Sequence, residues 1–252
     1  GKQPIRQYPE PAFWRAPVDN DFGNKMPGLA GVWRTAHINR YVKSVVIEEK
    51  NEKGLSIKVD WILSDIQVPY TMEYLIRNNG SIIVTGSIDL TGTRLPELPR
   101  FGMRMELQQS YENLTYYGRG PLENYIDRYS SSFIGRYEDK VENQFYWYIR
   151  PQETGNKTDV RWLALLNSEG EGVKITGLQP FSPEDLDPGL TRKLQHTIDI
   201  VPQKNIFLHV DLKQRGLGGD NSWGMYPYNK YRLLDKKYVY SYMIELAEKG
   251  SD

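Results

Sequence analysis

What most limits the fold of this chain is an alternation of apolar and polar residues with period two, which sets in at Val42 and keeps returning. In Leu55-Ser56-Ile57-Lys58-Val59-Asp60-Trp61 the apolar residues fall on every second position, as a half-buried strand requires. Similar runs cover 71–76, 82–90, 101–107, 160–166, 172–176, 197–201, 206–213 and 237–246. In the last of these, Tyr238, Tyr240, Tyr242, Ile244 and Leu246 share one face. Turn residues such as Asn78-Asn79-Gly80 separate neighbouring runs, and no helical pattern alternates with them. The pattern predicts an all-β fold, a large antiparallel β-sandwich of stacked sheets. The 18 tyrosines suit such a sandwich, because a wide inner layer needs rigid fillers whose hydroxyls can reach water at its margins. No repeat, low-complexity tract or linker divides the chain, so 1–252 reads as a single domain.

The first 40 residues stand apart. Pro4, Pro9, Pro11 and Pro17 obstruct ladders and helices, which predicts an extended leading segment with one short helix within 29–40. Inside it lies Phe13-Trp14-Arg15-Ala16-Pro17-Val18-Asp19-Asn20-Asp21. Asp19, Asn20 and Asp21 either build a polar turn, in which their side chains bond nearby amides, or offer oxygen ligands to a cation. The turn is favoured, because the glycine and distal glutamate of an EF-hand are missing. A second dense stretch is Tyr116-Tyr117-Gly118-Arg119-Gly120-Pro121-Leu122-Glu123-Asn124-Tyr125. Gly118 and Gly120 would hold Arg119 out on a tight turn, with Glu123 near enough to pair with it. A phosphate cradle fits less well, since the Lys-Ser/Thr and the helix of a nucleotide loop are absent.

Several functions are excluded or disfavoured by residue usage. Lys and Arg total 32, as do Asp and Glu, and no basic run is interleaved with aromatics, which argues against nucleic acid as a partner. No apolar run approaches the roughly 18 residues of a membrane span. With no cysteine, thiolate chemistry is out of reach, and the cytoplasm and a periplasm remain equally open. His37, His196 and His209 lack metal-ligand spacing, so no metal site is expected. No nucleophile elbow appears, and among 32 acidic residues no pair stands out as the two carboxylates of a glycosidase. A first residue of Gly1 rather than Met suggests a piece of a longer protein.

Residues 216–224, Gly-Leu-Gly-Gly-Asp-Asn-Ser-Trp-Gly, set one tryptophan among four glycines. Such a backbone builds a loop, and Trp223 beside Asp220, Asn221 and Ser222 either presents an indole face for a sugar ring or folds back to plug the sandwich.

Four stretches in the same order, Phe13–Asp21, Tyr117–Tyr125 with Asp127-Arg128, Pro151-Gln152-Glu153-Thr154-Gly155 and Gly218–Trp223, resemble the C-terminal domain of the large bacterial β-galactosidases of glycoside hydrolase family 2. The resemblance implies the "small chain" domain, a supersandwich similar to galactose mutarotase. It implies a retaining glycosidase whose catalytic glutamates lie in a (β/α)₈ barrel. Eight βα units need about 250 residues of their own, so that barrel lies outside this chain. It also implies that Trp223 is lent to the active site, with Asp220, Asn221 and Ser222 as the accompanying substrate-binding residues, a β-galactoside or galactose as ligand, the rest of the parent chain as partner, and a homo-oligomer as the full assembly. The parent family's Mg and Na ions are expected mostly elsewhere, which leaves this chain with no cofactor of its own and, alone, inactive. Arg15, Asp19, Asn20, Asp21, Arg119, Glu123 and Asn124 then belong to structural motifs. Asn221 stands where the family also shows Asp, and Gly224 follows the tryptophan where members vary. The rival is a stand-alone aldose 1-epimerase or sugar-binding module, which would need histidines such as His196 and His209 to converge with a carboxylate on a sugar.

Overall fold

The structure, a computed structural model, describes residues 3–47, 52, 54–186, 194–221 and 223–250. Its strands, all antiparallel, are β1 (Ile5–Ala12), β2 (Arg40–Ile47), β3 (Leu55–Leu63), β4 (Val68–Ile76), β5 (Ile82–Asp89), β6 (Arg100–Gln108), β7 (Asn113–Gly120), β8 (Phe133–Lys140), β9 (Lys157–Leu166), β10 (Glu171–Leu186), β11 (Pro202–Gln214) and β12 (Lys237–Glu248). Three helical turns, α1 (Asp19–Gly23), α2 (Met26–Leu29) and α3 (Trp33–Ala36), lie between β1 and β2. Among the described residues no helix is long and apolar enough to cross a membrane.

The long strand β10 makes the sandwich. Its first part pairs with β12 on one side and β9 on the other, extending a layer that runs β8-β7-β9-β10-β12-β5-β4-β3-β2. Register shifts between Thr176 and Phe181 bend the strand, and its second part pairs with β11, leading to β6 and β1. The two branches face each other. Phe101 of β6 lies 5.1 Å from Tyr238 and 5.7 Å from Tyr240 of β12, and stacks on Phe13 at 5.8 Å. Each such ring pair contributes about 0.5–1.5 kcal/mol beyond its burial. The Tyr240 hydroxyl donates across the layers to the Val210 carbonyl at 2.8 Å, so the buried tyrosine brings no unpaired polar group into the core.

Five expectations need correcting. The leading segment is not simply extended, since β1 pairs with β6 despite Pro9 and Pro11. Being an edge strand, it can turn positions without an N–H away from the ladder. The helix expected within 29–40 shrinks to the turn α3 at 33–36, while the turn α1 contains the Asp19–Asp21 motif and α2 follows it. Residues 197–199 form a 3₁₀ turn, with Asp199 accepting from the His196 amide at 3.0 Å, and β11 starts only at Pro202. β7 and β8 were not anticipated: β7 buries glycines where the pattern looks for apolar side chains, and β8 is an exposed edge. Leu246 is 82% exposed although it follows the buried face of β12. The flanking strand β5 begins at Ile82, opposite Ile244, so Leu246 has no neighbour on that side.

Candidate functional site

The loop that carries Trp223 leaves β11 directly after a fully buried arginine pair. Arg15 and Arg215 share the carboxylate of Asp21, Arg15 at 3.0 and 2.9 Å and Arg215 at 2.6 Å, with all three side chains fully buried. Asp21 also accepts from the Val18 amide at 3.0 Å, which closes the turn over Asp19 and Asn20. The choice left open by the sequence is thereby decided for this carboxylate, whose oxygens are taken by guanidinium and amide donors. A second carboxylate, Glu97, contacts Arg215 at 3.3 Å and Arg232 at 2.8 Å, so no guanidinium of the group lacks a counter-charge.

This ionic core grips the loop backbone. Arg15 donates to the carbonyls of Arg215 at 2.6 Å and Gly216 at 3.2 Å. The Asn20 side chain donates to the Leu217 carbonyl at 3.0 Å, and the Gly218 amide donates to Asp127 at 2.9 Å. Two of the glycines are required by closeness. A Cβ on Gly216 would lie 2.7 Å from an Asp127 oxygen, and one on Gly219 2.7 Å from the Tyr226 carbonyl and 2.8 Å from that of Met225. Farther out, Asn221 accepts from the Trp223 amide at 2.9 Å and Asp220 accepts from the Tyr228 hydroxyl, so both polar side chains shape the tip. Ser222 lies outside the described residues. The indole of Trp223 is 87% exposed, which removes the plug reading. Met225 and Tyr228 are exposed beside it in sequence.

The remaining stretches brace the same end of the sandwich. Glu123 accepts from Arg128 at 2.5 Å, from Tyr148, from the Gly155 amide at 2.8 Å and from Thr154 at 3.0 Å, tying the Asn124 stretch to the 151–155 segment. The Tyr148 hydroxyl is held above its ordinary range by burial and by its bond to Glu123. Asn124 is fully occupied: its oxygen accepts from the Thr158 amide at 2.8 Å and hydroxyl at 2.6 Å, and its nitrogen donates to the Arg119 and Leu122 carbonyls. The expected Arg119–Glu123 pin does not form. Gly118 and Gly120 lie within β7 rather than on a turn, and Arg119 pairs instead with Asp159 of the neighbouring β9. Asp19 is exposed and stands outside the ionic core: its N–H donates to Gln152 at 3.2 Å and its carboxylate faces Arg150 at 3.4 Å. Thus all four motifs meet.

Sequence reasoning missed a second buried lattice behind this one. Arg100 contacts Glu153 at 2.8 Å, Asp211 at 3.1 Å and His209 at 2.8 Å. One guanidinium serves two buried carboxylates, and burial, reinforced by Glu153, pushes Asp211 up to about 7 despite Arg100. Burial and the facing arginines hold His209 well below its usual range, so the ring is neutral. Arg100 and His209 lie in apolar strand runs, and nothing in those runs marks them as partners. His196 is exposed while His209 is sealed, so the two do not form an epimerase pair. Glu153 and Asp211 are likewise sealed, as a glycosidase pair that must reach a sugar would not be.

Fold and site together define a large antiparallel β-sandwich module that presents an aromatic loop on a buried ionic clamp. Within that class the chain belongs to the β-galactosidase small chain family, whose profile matches residues 1–244. It is 34% identical to a β-galactosidase of Priestia megaterium over 88% of its length, covering 22% of that protein. It is 32% identical to one of Halalkalibacterium halodurans over 92% of the chain and 24% of the relative, and 31% identical to one of Streptococcus thermophilus over 97% and 24%. The chain therefore spans about a quarter of the length of these curated relatives. Among solved structures, a GalM/aldose epimerase homologue from C. elegans aligns over 82% of this chain and 69% of its own at 8% identity, with a TM-score of 0.40.

Proposed function

We propose that the chain works as one part of a retaining β-galactosidase and lends Trp223 to an active site whose catalytic carboxylates lie in a barrel outside it. One observation carries this reading: the indole is 87% exposed, yet the loop behind it is clamped by buried charges. A surface loop with no task has no reason to recruit Arg15, Asn20, Asp21 and Asp127 from two distant segments. A flat apolar face held in one place suits the C–H face of a galactose ring, because little ordering entropy remains to be lost on contact. Asp220 and Asn221 set the pose of the loop. The relatives' length leaves room for the barrel, and in the whole enzyme the domain also supports a homo-oligomer. No cofactor is assigned to this chain.

In the full-length enzyme, Trp223→Ala is expected to lower kcat/KM for a chromogenic β-galactoside by about tenfold to a hundredfold, equivalent to about 1–3 kcal/mol of lost recognition. Trp223→Phe should recover part of it. Unchanged kcat/KM in folded Trp223→Ala enzyme would end the proposal. The isolated chain should fold and hydrolyse no galactoside, and turnover abolished by mutating one of its own carboxylates would place catalysis here instead.

A further inference from the structure

The inner face of the larger layer runs on past the smaller one. Strand register carries a row of side chains across it from Tyr242 through Val84, Tyr74 and Ile57 to Ile47. The next row runs from Tyr240 through Gly86, Met72 and Val59 to Val45. At the β12 end both rows are sealed, with Tyr242, Val84, Tyr240 and Met72 buried. At the β2 end Ile57 and Val59 are only half-buried, while Ile47 is 65% and Val45 53% exposed. The rows stay apolar from end to end, and what changes is the cover. β6 lies over β12, where Phe101 meets Tyr240 at 5.7 Å, and β1 lies over β4, where the Tyr74 hydroxyl donates to the Pro9 carbonyl at 3.4 Å. Beyond β1 the smaller layer has no further strand among the described residues.

The edge of β1 is open as well. The strand pairs with β6 on one side and, among the described residues, with nothing on the other. An unpaired main-chain edge beside an uncovered apolar face is a template for one more strand, whose amides extend the ladder and whose inward side chains extend the core. Pro9 and Pro11 have no N–H to give, so the ladder is open ahead of them, at residues 5–8. A sheet face left to water normally alternates to polar residues, which these rows do not.

The occupant follows from the size of the relatives. The chain covers 22–24% of three of them, so most of such a protein lies outside it. Read as the C-terminal part of a longer protein, the chain is entered at β1, beside the open edge, and consecutive strands are usually neighbours. A tethered strand also acts at a high effective concentration, which a second copy does not.

We propose that the open edge of β1 and the bare face of β2 and β3 form a docking groove for a β-strand of the same parent chain, from outside residues 1–252. The strand pairs with residues 5–8 and lays its apolar side on Val45, Ile47, Ile57 and Val59. The groove rests on the chain being part of a longer β-galactosidase, not on the role of Trp223.

The test is photo-crosslinking of the full-length enzyme carrying p-benzoylphenylalanine in place of Ile47, assembled from a mixture of isotopically heavy and light subunits. The expected product joins position 47 to a peptide from outside residues 1–252, with both peptides carrying the same label. Products joining heavy to light subunits would assign the face to a second copy and overturn the proposal, as would links confined to residues 1–252 or no link at all. If the replacement at 47 prevents folding, the same probe in place of Val45 gives the same readout. Hydrogen exchange tests the pairing itself. Amides along an edge strand face its neighbour and the open side in turn, so those of residues 6–8 should all exchange about tenfold or more slowly than in an unstructured peptide. Unprotected exchange at the amides turned away from β6 would overturn the pairing. Trp223→Ala should leave both readouts unchanged, which separates a failure of the groove from a failure of the Trp223 reading.

Discussion

Trp223 and Asp21 sit a few residues from the same loop backbone and should respond to mutation in opposite ways. In the isolated chain, Trp223→Ala removes a side chain that is 87% exposed, so thermal melting should shift by no more than about 0.5 kcal/mol of stability. Asp21→Asn leaves Arg15 and Arg215 facing a neutral amide in a sealed site and should cost about 3–5 kcal/mol, read as a drop in the urea midpoint. The tryptophan was legible because an indole among Gly, Asp, Asn and Ser is out of place in a core. The partners of Arg119 were not. Glu123 is four residues away along the chain, but Asp159 on the adjacent strand is what the side chain meets, and strand register is a property of the pairing rather than of local spacing.

At the scale of elements, the period-two runs gave away most strands because one buried face repeats the same choice at every second residue. β7 escaped because two of its buried positions are glycines: a Cβ on Gly118 would lie 2.7 Å from Val160. The clamp escaped because its parts come from Arg15, Asn20, Asp127 and Arg215, which only the completed sheet brings together. The loop itself depends on one close approach. Gly219→Ala should push its backbone off the Tyr226 and Met225 carbonyls, speeding amide hydrogen exchange across 217–224 while the melting temperature moves by no more than a few degrees. Exchange unchanged from wild type would show that the loop is not held at that point.

For the molecule as a whole, pH acts through the buried titratable groups. His37 titrates near 6.5 when unfolded and is lowered to about 4 in the fold. Between those values the unfolded state binds more protons, so this contribution to stability, full above pH 6.5, is lost as pH falls toward 4. The stability advantage of wild type over His37→Gln should shrink across that window, and a difference constant from pH 7 to 4 would contradict it. Asp211, raised to about 7 by burial, acts oppositely, since its contribution falls as pH rises from 3.8 toward 7. A clamp that serves the indole is coupled to it energetically. The most direct test is a double-mutant cycle between Asn20 and Trp223 in the full-length enzyme, because the Asn20 side chain donates to the loop at Leu217. Asn20→Ala should lower galactoside kcat/KM on its own and lower it hardly further once Trp223 is alanine, whereas losses that simply add would contradict the clamp's role.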